Sequence, residues 1–303
     1  MRQTIGVIGS GSMVGSRFCE IVEKDFGNIS LLKADHHANF KIDITDRDKT
    51  RNFFQNHFDW LILFAAFTDV DAAEKQRGDK IAPCWQINVE GTTNVADACL
   101  SFGKNLIFIS TDFVFDGTNG PYSEDDTPGP DMRKTSWYGI TKIEAEKRIR
   151  QRLKDYLIVR IAYPYRGPFA QKDDIIKRIL KLYQLGQLYP IFTDQKLTPT
   201  FIDDLAPAIN LLVRRGERGI FHLASPKITT QYQFAKFVIA TFGGDPRKVP
   251  KGSARSHNRD KSVTPRPTKG GLKVDKIKKL GFTPTNWQEG IRKIYEQSNG
   301  QLI

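Results

Sequence analysis

Short apolar runs alternate with longer segments of helical spacing along the first half of the chain. "TIGVIG" (4–9) is an apolar run ending in glycine and reads as a buried strand. In "MVGSRFCEIVEKDF", Phe18, Ile21, Val22 and Phe26 fall at helical spacing. "ISLLKA" (29–34) predicts a second strand, and "DITDRDKTRNFFQNHF" offers Thr45 or Asp46 as the N-cap of a further helix. "DWLILFAA" (59–66) is apolar almost throughout, as expected for a strand covered on both faces. "PCWQINVEGTTNVADACLSF" predicts a long helix, "NLIFIST" (105–111) a fourth strand, "YGITKIEAEKRIRQRL" a helix and "YLIVRIAY" (156–163) a fifth strand. This alternation predicts an α/β fold with a doubly wound parallel sheet. Beyond residue 164 the pattern loosens. Helical spacing recurs in 173–185, 203–214, 230–242 and 286–296, and "GIFHLAS" (219–225) is a short strand, so a smaller, mostly helical lobe follows.

Composition narrows the setting. At 303 residues and 39% apolar, the chain is long enough for a real core. No apolar run reaches the roughly 18–20 residues that span a bilayer, and the start of the chain lacks the pattern of a secretory signal. The cysteines, Cys19, Cys84 and Cys99, are odd in number and widely spaced, which predicts a reduced, cytoplasmic protein. They form no metal-ligand spacing with histidine. The pair His36-His37 reads as a solvated loop, and no metal is expected. The net charge is +12, and residues 247–273 carry nine Lys/Arg against one acid, Asp260. Such a charge suits nucleic acid, an acidic membrane surface or an anionic small molecule. Few aromatics interleave with the basic residues, which argues against nucleic acid.

Four stretches bear chemistry. "GSGSMVG" (9–15) follows the first strand and opens the first helix, where a doubly wound sheet binds a dinucleotide. Its glycines, Gly9, Gly11 and Gly15, do not fit G-x-G-x-x-G. "YGITK" puts Tyr138 and Lys142 one turn apart on one helix face. A lysine ammonium at about 4–6 Å lowers a phenol by roughly 1–3 pK units, and such a pair exchanges a proton with a carbonyl or an alcohol. "ISTDFVFDG" (109–117) places Ser110, Thr111 and Asp112 at the carboxyl end of the fourth strand, the ligand end of such a sheet. "FAAFTDVDAAE" (64–74) ends the third strand with Ala65-Ala66, small enough for a flat ligand to approach. Its acids Asp69, Asp71 and Glu74 read equally well as helix N-terminal charges.

In this order, these stretches resemble the dTDP-4-dehydrorhamnose reductase family of the extended short-chain dehydrogenase/reductase superfamily. The resemblance runs through "DIT", "AAFTDVDAAE", "INVEGTTNVA", "ISTDFVFDG", "YSEDDTPGP", "YGITKIEAE", "LIVR", "DQKLTPTFIDDLA", "GIFHLAS" and "RPTKGGL", nearly the whole chain. It implies a Rossmann-type NAD(P)-binding domain of residues 1–163 with 201–224, and a substrate-binding lobe of 164–200 with 225–303. It implies a catalytic trio: Thr111 on the substrate's keto oxygen, Tyr138 as proton donor, and Lys142 on the nicotinamide ribose. The family's loop is G-x-x-G-x-x-G, here Gly9, Ser12, Gly15, with Gly11 beside it. Met13 and Val14 would offer amides to the pyrophosphate, and Ser12 in place of glycine would weaken the site if it strains the loop. Asp43 and Ile44 match adenine contacts, and Ala65, Ala66 and Phe67 match contacts along the cofactor.

For the substrate, the resemblance implies Asp112, Tyr163 and Arg266. Tyr163 stands near a place where the family often has Trp, and the late "RP-x-N-S" of the family is here Arg266-Pro267-Thr268-Lys269-Gly270. Asp35 at the end of the second strand suits a ribose 2′-hydroxyl and hence NAD. Lys33 and His36 suit a 2′-phosphate, so NAD and NADP both stay open. The activity implied is NAD(P)H-dependent reduction of the 4-keto group of a nucleotide-linked 6-deoxyhexose in deoxysugar biosynthesis. The alternatives are an epimerase or dehydratase of the same superfamily and a non-catalytic NAD(P)-binding regulatory subunit. The expected partner is a nucleotide sugar, with neither nucleic acid nor membrane; a homodimer stays open.

Overall fold

The computed structural model describes residues 3–36, 40–260 and 262–302. His37 lies outside them. The described residues divide into two compact units. The first comprises 1–114, 136–160 and 206–221, and the second 115–135, 161–205 and 222–303.

The first unit is built on alternating elements. They are β1 (Gln3–Ile8), α1 (Met13–Asp25), β2 (Ile29–Asp35), β3 (Phe40–Lys41), α2 (Arg47–Phe53), β4 (Trp60–Leu63), α3 (Val70–Glu74), α4 (Pro83–Trp85), α5 (Thr92–Phe102), β5 (Asn105–Thr111), α6 (Trp137–Arg152) and β6 (Tyr156–Ile161). The sheet runs β3-β2-β1-β4-β5-β6 and ends on the strand Gly219–His222. β1 pairs in parallel with both β2 and β4, and β4 with β5. The strand order therefore turns round between β1 and β4, the position at whose carboxyl ends sheets of this kind bind ligands. All four residues of β4 are buried, as its unbroken apolar run requires. Phe53, Phe54 and Phe58 pack with Leu61, Leu63, Leu106 and Phe108 and with Val95 and Cys99 of α5.

The long helix expected over 83–102 is present but not uniform. Its middle, Gln86–Gly91, is π-helical, between α4 and α5. Gly91, at its end, passes close to Ile44: a Cβ there would stand 2.6 Å from Ile44 Cγ1. Asp46, the second of the two capping candidates, caps α2 by accepting from the Asp48 and Lys49 amides.

The second unit has its own core. Tyr165, Ile176, Ile179, Phe201, Phe234, Trp287 and Ile291 pack together from the helices Ile175–Gln184, Gln231–Thr241 and Trp287–Gln297 and the chain between them. Its boundaries differ from the sequence expectation. Residues 115–135, expected with the sheet domain, belong here, as do 161–163, 201–205 and 222–224. The cause is backbone pairing across a long separation. Gly120 N donates to Lys269 O (2.9 Å), Tyr122 N to Gly271 O (2.9 Å) and Lys269 N to Gly117 O (2.7 Å). Phe115 and Tyr122 stack with ring centres 4.1 Å apart.

Among the described residues, no helix is long and apolar enough to cross a membrane, and no group of three or more His, Cys, Asp or Glu is placed to hold a metal. The three cysteines are free and buried.

Candidate active site

The glycine loop closes tightly on the end of β4. Gly9 has φ +85°, and a Cβ on it would stand 2.5 Å from Ala65 N, so only glycine fits. A Cβ on Gly15 would collide with Gly9 O. Ser12, by contrast, sits at an ordinary extended φ of −67° as the N-cap of α1. Its Oγ donates to Gly9 O (2.7 Å) and accepts from Gly15 N (3.1 Å). The condition under which serine would weaken the loop is therefore not met: it fastens the loop. Met13 and Val14 begin α1, whose N-terminus carries the positive end of the helix dipole. Gly11 N donates to Asp35 Oδ2 (2.9 Å) and His36 N to Oδ1 (2.7 Å), which fixes the carboxylate at the end of β2. Lys33 is taken up in an ion pair with Glu23.

The remaining cofactor candidates divide. Asp43 is exposed and accepts from both the amide and the hydroxyl of Thr45. Ile44 turns its side chain into the core, so only its backbone remains to meet a ligand. Ala65, Ala66 and Phe67 are half-buried beyond β4. Asp69 caps α3, and Glu74 accepts from the Trp137 amide at the start of α6 (2.7 Å). These acids are structural, the second of the two readings that their position allowed.

Thr111, Asp112, Tyr138 and Lys142 come together between the end of β5 and the first turns of α6, all buried. Ser136 starts α6, its Oγ accepting from Gly139 N. Thr111 Oγ1 donates to Asp112 Oδ1 (3.3 Å) and accepts from Phe113 N (3.2 Å). Burial pushes the Asp112 carboxyl up to about 7, against the pull of Thr111 and two backbone amides. Burial also pushes the Tyr138 phenol well above 10, with Thr111 opposing and Asp112 adding to the rise. Lys142 Nζ donates to Ile109 O (2.9 Å) and lies 3.8 Å from the centre of the Phe108 ring. Burial lowers its ammonium to about 7, with Glu146 pulling the other way. The expected electrostatics are thus reversed in this state. Desolvation sets the direction for both groups, and the phenol stays protonated.

In the second unit, Tyr163 follows β6 at φ 42°, an unusual conformation for an aromatic residue. Its hydroxyl accepts from Gln195 Nε2 at 2.8 Å. Arg266 is held through its backbone: its N donates to Asn258 Oδ1 (2.9 Å), and Asn258 Nδ2 donates to its carbonyl (2.7 Å).

Comparison with known proteins gives the family. A profile of the family described as RmlD substrate binding domain matches residues 3–299. The chain belongs to this family. It is 32% identical over 297 residues to the dTDP-4-dehydrorhamnose reductase of Mycolicibacterium smegmatis, covering 96% of this chain and 85% of that one. The crystal structure of a dTDP-4-dehydrorhamnose reductase from Clostridium acetobutylicum superposes with TM-score 0.83 at 26% identity, over 98% of this chain and 100% of that one. The dTDP-4-dehydrorhamnose reductase of Bacillus anthracis in complex with NADP gives 0.85 at 24%, again over 98% and 100%.

Two groups of residues escaped the sequence reading. Asn88, in the π-helical stretch, holds the chain after β4: its Oδ1 accepts from Phe67 N (2.8 Å), and its Nδ2 donates to Phe67 O (3.1 Å) and Thr141 Oγ1 (3.0 Å). It ties the segment after β4 to α6. Its only signal was an amide in an otherwise apolar helix face. The second group is Glu146 and Arg160, a buried pair that Ser110, read from the sequence as facing the ligand end, joins through Glu146.

Proposed function

We propose that the chain is an NAD(P)H-dependent reductase acting on the 4-keto group of a nucleotide-linked 6-deoxyhexose, with a product of the dTDP-L-rhamnose type. The observation that carries this reading is the convergence of Thr111, Tyr138 and Lys142 at the carboxyl end of β5. The residues present fit a dinucleotide: a glycine cradle that a Cβ would fill, a helix N-terminus behind it and a carboxylate fixed at the end of β2. When bound, the nicotinamide supplies the hydride. Thr111 Oγ1 orients the keto oxygen. Tyr138, kept protonated by burial, donates its proton to that oxygen as negative charge develops there. Lys142 steadies the phenol as it loses the proton and binds the ribose hydroxyls. Asp112 lies beside Thr111, where it positions the sugar. Tyr163 and Arg266 are assigned to the substrate, the arginine to its diphosphate.

Asp35 supports NADH over NADPH, because a fixed carboxylate accepts from a 2′-hydroxyl and repels a 2′-phosphate, while Lys33 is engaged with Glu23. The buried free thiols fit a reducing, cytoplasmic setting. The test is oxidation of NADH and NADPH, followed by absorbance, in the presence of 4-keto-6-deoxy nucleotide sugars. Substrate-dependent oxidation is expected, with at least a hundredfold loss in Tyr138→Phe, about the scale of general-acid catalysis. Full turnover in that variant rejects the mechanism, and conversion of sugar without net oxidation favours the epimerase alternative.

A further inference from the structure

One face of α6 grips consecutive residues of β5. Lys142 Nζ meets the Ile109 carbonyl, Ser110 Oγ donates to Glu146 Oε1 at 2.6 Å, and Thr111 stands near the Tyr138 phenol. Tyr138, Lys142 and Glu146 are successive i, i+4 positions, hence one stripe of the helix. Arg160 of β6 closes the far end. Its Nε donates to Glu146 Oε1 (2.9 Å) and its Nη2 to Oε2 (2.6 Å). Arg160 is 0% exposed and Glu146 2%. One buried carboxylate is thus paired with Arg160 and stands one helical turn from Lys142. A buried ion pair is poor value for stability compared with apolar packing of the same volume, which turns attention to what the anion does for its neighbour.

We propose that Glu146, fixed in place by Ser110 and Arg160, is a positioning residue for Lys142: its carboxylate holds the buried lysine in the ammonium form that a nicotinamide ribose and the Tyr138 phenol require. This rests on the reductase reading above. The groups facing Lys142 leave Glu146 as the available counter-charge. Tyr138 on the same helix and Cys84 of α4 both have their titrations raised by burial, so they remain neutral near pH 7. Asp112 lies beyond Tyr138, and Arg160 stands behind Glu146. Burial drives Lys142 down to about 7, and Glu146 is first among the forces opposing it.

The charges can be removed one at a time. Glu146→Gln keeps the shape and loses the anion. Arg160→Met loses the outer cation and leaves the anion to Lys142 alone. The double variant loses both. Two readouts are taken on each: titration of 13C-labelled lysine by NMR without any sugar, where a lysine titrating near 7 stands apart from ordinary ones, and the alkaline limb of the kcat/KM profile. In Glu146→Gln the titration and the limb move down by about 1 unit or more; in Arg160→Met both move up; in the double variant the downward shift is smaller. Should the single variants fail to fold, the double variant, which leaves neither member of the Glu146–Arg160 pair without the other, decides: a downward shift supports the proposal, and no shift or an upward one overturns it. Where the single variants fold, unmoved titrations, or shifts of the same sign in both, overturn it. If no sugar is turned over by the wild type, the reductase reading fails, while the lysine titration still tests the network.

Discussion

Asp112→Asn should change how the stability of the protein depends on pH. In the native state burial holds the proton on Asp112 up to about pH 7, whereas an exposed aspartate releases it near 3.8. The folded protein therefore binds one more proton than the unfolded chain between those values. A raised carboxyl contributes stability that is fully present below the unfolded pKa and is lost as pH rises through the folded one. The shift of about 3 units corresponds to ~4 kcal/mol, spread over the window from about pH 4 to pH 7. The asparagine variant has no such proton to lose. Urea unfolding of both proteins at intervals between about pH 4 and pH 8 gives the difference in their unfolding free energies. That difference should shift in favour of the variant by roughly 3–4 kcal/mol across the range. Its pH-independent part reports the altered packing and hydrogen bonding, and only the slope reports the proton. Lys142, lowered by burial, is present in both proteins and cancels. A flat difference would falsify the reasoning, because Asp112 would then ionise as freely in the folded state as in the unfolded.

Ser12→Gly should not tighten NADH binding, although glycine is what the phosphate-loop pattern asks for. It removes the bonds to Gly9 O and from Gly15 N, each about 0.5–1.5 kcal/mol. A loss of affinity up to about fivefold is expected by fluorescence titration, and tighter binding refutes the assignment of Ser12 as a fastener. Asn88→Ala should cost about 2–4 kcal/mol, since it strips four hydrogen bonds, one of them the weak bond to Cys84 Sγ, from a side chain that is 1% exposed. Chemical denaturation measures this, and a loss under about 1 kcal/mol would show the clamp to be redundant.

Features carried by local spacing were legible in the sequence. The β–α alternation, the loop of Gly9 to Gly15 and the one-turn separation of Tyr138 and Lys142 are each set within a few residues, and β5 spans 105–111 as the apolar run indicated. Features set by long-range pairing were not. Residues 115–135 look like a connection between β5 and α6, yet their backbone partners are Lys269 and Gly271, far along the chain. Glu146 and Arg160 each read as an ordinary charge, one on a charged helix and one ending a strand. Only their meeting in the core reveals a pair. Burial also decides the sign of the Tyr138 and Lys142 shifts, and spacing does not report burial.

The way the two units share the chain has a consequence for synthesis. β1 to β6 are complete once residue 161 has been made, but β6 then has one open edge until the strand Gly219–His222 arrives to cover it. The second unit waits longer still, because its core draws on Tyr165, Phe234 and Ile291 together. A ribosome adding about 5–20 residues per second therefore leaves an unpaired strand edge exposed for several seconds. That interval, rather than any weakness of the finished protein, is when the chain is most open to mispairing with a neighbour.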